Sequence, residues 1–301
     1  MTMGRESLPS NPMRAEESLR LKKAEIDREL ARLLPRGRSG LGPAMRHAVF
    51  PGGKRYRPLL LMASGACFAA RRGALLPFAC ALELIHCYSL VHDDLPAMDN
   101  DDFRRGRPSC HRAFGEGAAI LAGDGLLTLA FGVMAGAPVP GRLLAAKHRA
   151  IQALSRRAGV EGMIGGQWLD ISLPLEKLTR RRLDEMILRK TGALILGAIE
   201  AGALLGRAGR RDTQAVLDFG EKLGLAFQVR DDIADSDRER AAARPARPDH
   251  TVLHGLEGSR IRLRRLVEEG VASIARFGER AAELRWLALS LFEGAGEAKN
   301  G

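Results

Sequence analysis

The sequence predicts an all-α fold, and three observations carry that reading. Apolar residues recur at helical spacing almost throughout. Strand signals are scarce, with no alternating Val/Ile/Thr run and no Asn-Gly hairpin. The composition, 46% hydrophobic and 28% charged, supplies enough apolar material for a sizeable core. A length of 301 residues suits two domains or one large one. Without a repeat or a long linker, the expectation is a single helical domain over 1–301.

The elements follow in order. Residues 1–14 lack the apolar core of a secretory signal and are expected to be mobile. Ile26, Leu30, Leu33 and Leu34 mark one face of a charged first helix that Pro35 stops. The 58–70 and 77–92 segments each open on proline, which suits the first helical position. The second is apolar on nearly all sides, as in a buried or a spanning helix. Glu83, His86 and the acidic run after it argue against stable membrane insertion. Segments 117–135, 144–158, 180–205 and 212–234 also read as helices. The stretch 236–250 holds four arginines, two prolines and no large apolar residue, and reads as a flexible loop.

Charge and cysteine content narrow the function classes. Lys plus Arg number 47 against 36 Asp plus Glu, a net charge of +11. The excess points to nucleic acid, an anionic membrane or phosphate-bearing substrates. Aromatics are only 5% of the chain, too few for the stacking platforms of a single-strand binder. Cys67, Cys80, Cys87 and Cys110 show no CxxC spacing and read as reduced thiols, so the expected compartment is cytoplasmic.

Two carboxylate clusters carry the chemistry. Five aspartates (Asp93, Asp94, Asp99, Asp101, Asp102) follow the apolar 77–92 helix, and Asp231, Asp232 and Asp235 follow a second apolar run. Like charges this close raise one another's pKa, and a hard cation removes the conflict. Asp231 and Asp235 are four apart and share one helix face. Asp93 and Asp99 would diverge on a continuous helix, but Pro96 ends or kinks it, so Asp99 can fold back. Neither cluster has the glycine placement of an EF-hand loop.

Basic residues stand where diphosphate could be held. Gly52-Gly53-Lys54-Arg55-Tyr56-Arg57 precedes a helix, where backbone amides and cations suit an anion. Lys54 adds a point charge and Arg57 a planar fork, without a Walker A pattern. Arg104 and Arg105 follow the first aspartate cluster. Lys190-Thr191-Gly192 breaks an apolar helical pattern, suggesting a kink with exposed carbonyls.

Together, GGKRYRP, ELIHCYSLVHDDLPAMDNDDFRRGRPSCH, LAGDGLL, GMIGGQWLD, RKTGALI and LAFQVRDDIAD resemble the trans-type isoprenyl diphosphate synthases of the polyprenyl synthetase family, over about residues 15–295. The long first aspartate motif is most similar to that of bacterial farnesyl diphosphate synthases. The resemblance implies a helical bundle around a deep central cavity, a homodimer, and an enzyme that condenses isopentenyl diphosphate with allylic diphosphates. It implies about three Mg²⁺ ions, with Mn²⁺ possible, on Asp93, Asp94, Asp99, Asp231, Asp232 and Asp235. By the same likeness Arg104, Lys190, Thr191 and Gln228 contact the allylic diphosphate. Gly53, Lys54, Arg57, His86 and Arg105 take isopentenyl diphosphate. Gln167 and Asp170 face the cavity beside the reacting centre. Tyr88, five residues before Asp93 and so deeper along the helix, caps the cavity, which in the family accompanies a farnesyl product.

The chain departs from the family pattern after the second motif. A Gly-Lys loop and a later Lys before Thr-Tyr-Pro are usual; ERAAARPARPDHTVLHGL stands here, with Arg244 and Arg247 as the nearest cations. Asn100 also replaces a frequent acid. The alternatives are a geranylgeranyl or geranyl diphosphate synthase, a class I terpene cyclase, and a non-catalytic regulatory subunit of a prenyl synthase. A cyclase is disfavoured by two aspartate motifs, a silent subunit by the intact aspartates, and a nucleic-acid binder by the acidic clusters.

Overall fold

The computed structural model describes residues 12–37, 40–172, 179–242 and 250–292. Its first helix, α1 (Pro12–Leu33), buries Ala15, Leu19, Ile26 and Leu30 on one stripe and ends before Pro35. Then come α2 (Gly42–Val49), α3 (Tyr56–Cys67) and α4 (Arg72–Asp93). Pro77 does not open α4, as the sequence suggested. The helix starts at Arg72 and takes Pro77 inside, giving up only the hydrogen bond to the Gly73 carbonyl. After α4 a two-residue antiparallel ladder pairs Phe103–Arg104 with Arg107–Pro108.

The chain continues through α5 (Cys110–Phe114), α6 (Glu116–Gly136), α7 (Leu144–Ala158) and α8 (Met163–Ser172). Next, α9 (Arg180–Ile187) runs through a single π turn, Leu188–Gly192, into α10 (Ala193–Leu205). The last helices are α11 (Arg210–Ala242), α12 (His250–Ser273, broken at Gly255) and α13 (Ala282–Leu289). The bundle is all-α. α4 packs on α3 and α6, α10 on α3, α7 and α11, and α12 covers α11. One contiguous apolar cluster runs through these helices, with Phe78, Leu82, Ile85, Ile195, Ile199 and Phe219 fully buried.

The segment 236–250 is structured at both ends, contrary to the sequence expectation. α11 continues to Ala242, because Arg, Glu and Ala are strong helix formers even without an apolar face. His250 opens α12 and is buried. Residues 243–249, with Arg244 and Arg247, lie outside the described residues, as do 1–11 of the expected mobile terminus; Pro12 to Arg14 are helical. By length and composition α4 and α6 are both apolar enough to cross a membrane. The protein itself buries 72% of that stretch of α4 but only 33% of that of α6.

Candidate active site

Two adjoining cavities open beside the carboxylate clusters. A cavity of about 340 Å³ is lined by Gly53, Lys54, Arg57, His86, Arg105, Arg230, Asp231 and Asp235, among others. The other, about 510 Å³, is lined by the polar Asp93, Lys190, Thr191 and Gln167 and by the largely apolar Tyr88, Leu127, Met163, Trp168 and Leu194, among others. Arg57 and His86 line both. Four sequence-derived groups thus meet: the basic 53–57 stretch, the end of α4, the π turn and the second aspartate motif.

The basic stretch is held by a buried ion cluster. Arg55, with positive φ, donates to Asp27 (2.8 Å), Glu83 (2.5 Å) and the Val49 carbonyl (2.9 Å). A Cβ on Gly52 would overlap the Arg55 guanidinium, so that glycine makes room for a structural arginine and not for an anion. The anchored loop presents Lys54 and Arg57 to the cavity. Arg57 sits 3.4 Å from His86, and its Nε is buried without a partner. Burial first, and then Arg57 and Arg105, hold the His86 pKa well below the ordinary imidazole range, so the ring is neutral.

The first aspartate motif folds back as the sequence predicted. α4 ends at Asp93, and the Asp99 amide donates to the Asp93 carbonyl at 2.9 Å. The Asp93 pKa is pushed up to about 6, first by burial and then by Asp99 and Asp94, with Lys190 and Arg104 opposing. Asp94 points elsewhere. It is buried, accepts from Arg104 Nε at 3.0 Å and lines neither cavity. Arg104 is also bonded to Asp101 at 3.1 Å and likewise lines neither.

The second motif divides in the same way. Asp231 and Asp235 line the basic cavity, and Asp231 accepts from Arg230 at 3.0 Å. Burial raises the Asp231 pKa against the pull of Arg230, and Asp235 adds to the rise. Asp232 turns inward, accepting from Gln228 Nε2 (2.8 Å) and from both the backbone amide (3.1 Å) and Nδ1 (2.9 Å) of His250. Thr191 donates to Gln228 Oε1 at 3.0 Å, and His250 Nε2 lies 3.2 Å from Asp184, itself paired with Arg262. A hydrogen-bonded chain therefore leads from the π turn through Asp232 to α9 and α12.

The sequence pattern does not single out His250, because it sits at the edge of an arginine-rich stretch that reads as a loop. The available signal was the helical pattern resuming right after it. Burial alone would lower its pKa, but the bonds to Asp184 and Asp232 outweigh that and raise it above 6.5. Burial would raise that of Asp184, but His250 and Arg262 outweigh it and lower it below 3.8. The sign follows by linkage. The His250 contribution is fully present below its unfolded pKa and lost as pH rises through the folded one. That of Asp184 is present above its unfolded pKa and lost as pH falls through the folded one. His250→Gln therefore costs about 1–3 kcal/mol, most between pH 3.8 and 6.5 and less at alkaline pH, measured by urea unfolding of the metal-free protein at several pH values.

The π turn is seated between two glycines. A Cβ on Gly166 of α8 would lie 2.6 Å from the Arg189 carbonyl carbon and the Lys190 Cα, and one on Gly224 of α11 would lie 2.9 Å from Gly192 Cα. This places the backbone of Lys190 and Thr191 against the cavity, with Lys190 Nζ 2.5 Å from Asp170. π turns are frequent at functional sites because they free carbonyls from the helical ladder. Both amide atoms of Gln167, on the cavity wall, are buried without partners.

The chain matches the polyprenyl synthetase family over residues 39–246. It belongs to that family. It is 44% identical to the farnesyl diphosphate synthase of Geobacillus stearothermophilus over 222 residues, 73% of this chain and 75% of that protein. With the farnesyl diphosphate synthase of Escherichia coli (strain K12) it shares 40% identity over 248 residues, 79% of this chain and 83% of the relative. A solved geranyltransferase structure from Legionella pneumophila superposes with a TM-score of 0.86 at 34% identity, covering 94% of this chain and 98% of the other. The polyprenyl synthetase identity makes the chain a short-chain prenyltransferase, and the all-α fold is the one its relatives share.

Proposed function

We propose that this prenyltransferase joins isopentenyl diphosphate to dimethylallyl and then geranyl diphosphate, with farnesyl diphosphate as its main product. The observation that carries this reading is the pair of cavities sharing Arg57 and His86, one basic and one running from carboxylates into an apolar pocket. Gly53, Lys54, Arg57, neutral His86 and Arg105 hold isopentenyl diphosphate. The apolar pocket takes the allylic chain, with its diphosphate beside Lys190, Thr191 and Gln228. Arg104 is held by Asp94 and Asp101, and joins that diphosphate by exchanging carboxylate for phosphate oxygens.

The donor set fits divalent metal. Asp93 with Asp99, and Asp231 with Asp235, are oxygen pairs whose mutual repulsion a hard cation relieves. Among the described residues no three carboxylate, histidine or cysteine side chains converge into a chelate. That matches Mg²⁺, which takes one or two carboxylates plus substrate phosphates and water. We assign about three Mg²⁺, or Mn²⁺, to these four aspartates, while Asp94 and Asp232 act as supports. When bound, the metal neutralises the departing diphosphate as a Lewis acid.

The residues of this chain do the rest. Lys190 offers its ammonium to the leaving oxygens as the allylic C–O bond breaks. The carbonyls of the π turn and the unpartnered Gln167 amide face the carbocation and stabilise it by dipole. The apolar walls exclude the water that would quench it. Isopentenyl diphosphate, fixed by Arg57, adds its double bond to the cationic carbon, one C–C bond forms, and one proton leaves to the released diphosphate.

The product follows from the cavity floor. The Tyr88 ring is buried and lines the apolar cavity, and we assign it the floor. Incubation with isopentenyl diphosphate, Mg²⁺ and each of dimethylallyl, geranyl and farnesyl diphosphate, followed by product sizing, gives farnesyl diphosphate from the first two. Tyr88→Ala shifts the product to geranylgeranyl diphosphate or beyond. An unchanged farnesyl product from Tyr88→Ala contradicts the floor, a geranylgeranyl product from the native chain corrects the length, and no product from any primer favours the regulatory-subunit alternative.

Exposed Ile120 and Leu121 on α6 offer apolar side chains that a second copy would cover, and we assign the homodimer to this face of α6. Sedimentation shows a dimer on this reading, and Leu121→Glu dissociates it. The reading places the enzyme in the cytoplasm, in keeping with four buried free cysteines, and without nucleic-acid or membrane partners.

A further inference from the structure

The phenol oxygen of Tyr88 is buried with no hydrogen-bond partner. Packing alone therefore fixes that ring, and a ring held only by packing moves when its neighbour moves. The neighbour is His92, one turn along α4. The two rings meet edge to face with centroids 5.8 Å apart, and both line the apolar cavity. His92 is itself fastened across the cleft. Its Nε2 lies 3.1 Å from the Ile120 carbonyl of α6, an oxygen that can only accept, so Nε2 carries the proton. The imidazole fits because α6 has glycine at 123. A Cβ there would overlap the ring, with Cε1 only 2.8 Å away.

We propose that His92, seated over Gly123 and bonded to Ile120, is a positioning residue that sets product length by fixing the Tyr88 ring. The inference rests on the floor reading of Tyr88 and goes beyond it. The floor is a stack of Gly123, His92 and Tyr88 tying α6 to α4. Removing the middle member gives the phenol ring room to recede, and the cavity deepens. Adding a methyl group at position 123 drives the imidazole toward the cavity, its open side, and the cavity becomes shallower. A pocket discriminates one more or one fewer chain segment strongly, because each buried methylene changes the free energy of the bound chain.

Product sizing of single and double variants tests this, with dimethylallyl and geranyl diphosphate as primers. His92→Ala raises the ratio of geranylgeranyl to farnesyl product by about tenfold or more. Gly123→Ala moves the distribution the other way, toward geranyl diphosphate from a dimethylallyl primer. The pair Gly123→Ala with His92→Ala reproduces the His92→Ala distribution, because the methyl group acts only through the imidazole. A general weakening of the fold would lower rates without that reversal. His92→Gln, which keeps a donor for Ile120, retains more of the native distribution than His92→Ala. If Tyr88→Ala lengthens the product while neither His92→Ala nor Gly123→Ala changes its distribution, this inference is overturned and the floor reading survives. If Tyr88→Ala changes nothing, the floor reading itself fails. Additive effects in the double variant also overturn the proposal.

Discussion

Asp93→Asn lowers turnover by about 10²–10³-fold while leaving the fold intact. The side chain keeps its shape but loses its charge, and it is the carboxylate of the first motif that lines the apolar cavity, within electrostatic reach of Lys190. Losing one preorganised electrostatic contact to the leaving group costs that much in other active sites. Asp93 already holds its charge poorly, with a pKa near 6 from burial and from Asp99 and Asp94. A bound cation restores the ionised form, so metal binding releases protons near pH 6 and fewer at pH 8. Steady-state kinetics across a magnesium series reads the loss in kcat. Asp94→Asn is the informative contrast. It weakens the grip on Arg104 and raises KM for the allylic substrate more than it lowers kcat.

Gly166→Ala has the second large effect, and it acts without touching a charged group. The added methyl group meets the backbone of Arg189 and Lys190, which cannot swing aside as a side chain tip can. α8 must move away from the π turn, carrying Gln167 and Asp170 with it. Overpacking of this kind costs about 1–3 kcal/mol of stability. A displacement of about 1 Å at reacting groups costs on the order of 10²-fold in rate. Thermal unfolding and kcat measured on the same sample check both numbers. Ile261→Ala on the exposed side of α12 leaves both nearly unchanged.

Much of this site was legible in the chain, because the information was local. Two aspartate runs followed two apolar stretches, and Pro96 between Asp93 and Asp99 specified a folded-back carboxylate pair that the Asp99–Asp93 backbone bond realises, although α11 runs on past the second run to Ala242. The break at Lys190–Gly192 was readable as well, although its form as a π turn depends on Gly166 and Gly224 pressing from two other helices. What the sequence hid was division of labour among like residues. Asp93 and Asp94 are adjacent and identical, yet one faces the cavity and the other pairs with Arg104, ten residues on. Asp232 is withdrawn by His250, eighteen residues away and beyond a stretch that reads as loop. Similarly, Gly52 looks like half of an anion-binding pair until Arg55 is seen folded over it. Such assignments depend on partners brought together only by packing, which period and spacing do not encode.

In the proposed reaction one substrate ionises at the carboxylates while the other is held by Lys54, Arg57 and Arg105. Its most direct test is a single-turnover reaction of geranyl and isopentenyl diphosphates with the enzyme in excess. Farnesyl diphosphate and inorganic diphosphate are quantified together, with Mg²⁺ and then with chelator. One inorganic diphosphate is released per farnesyl diphosphate formed, and neither product appears when the metal is chelated. Diphosphate release without a new carbon–carbon bond, or condensation that persists in chelator, would contradict the proposed reaction.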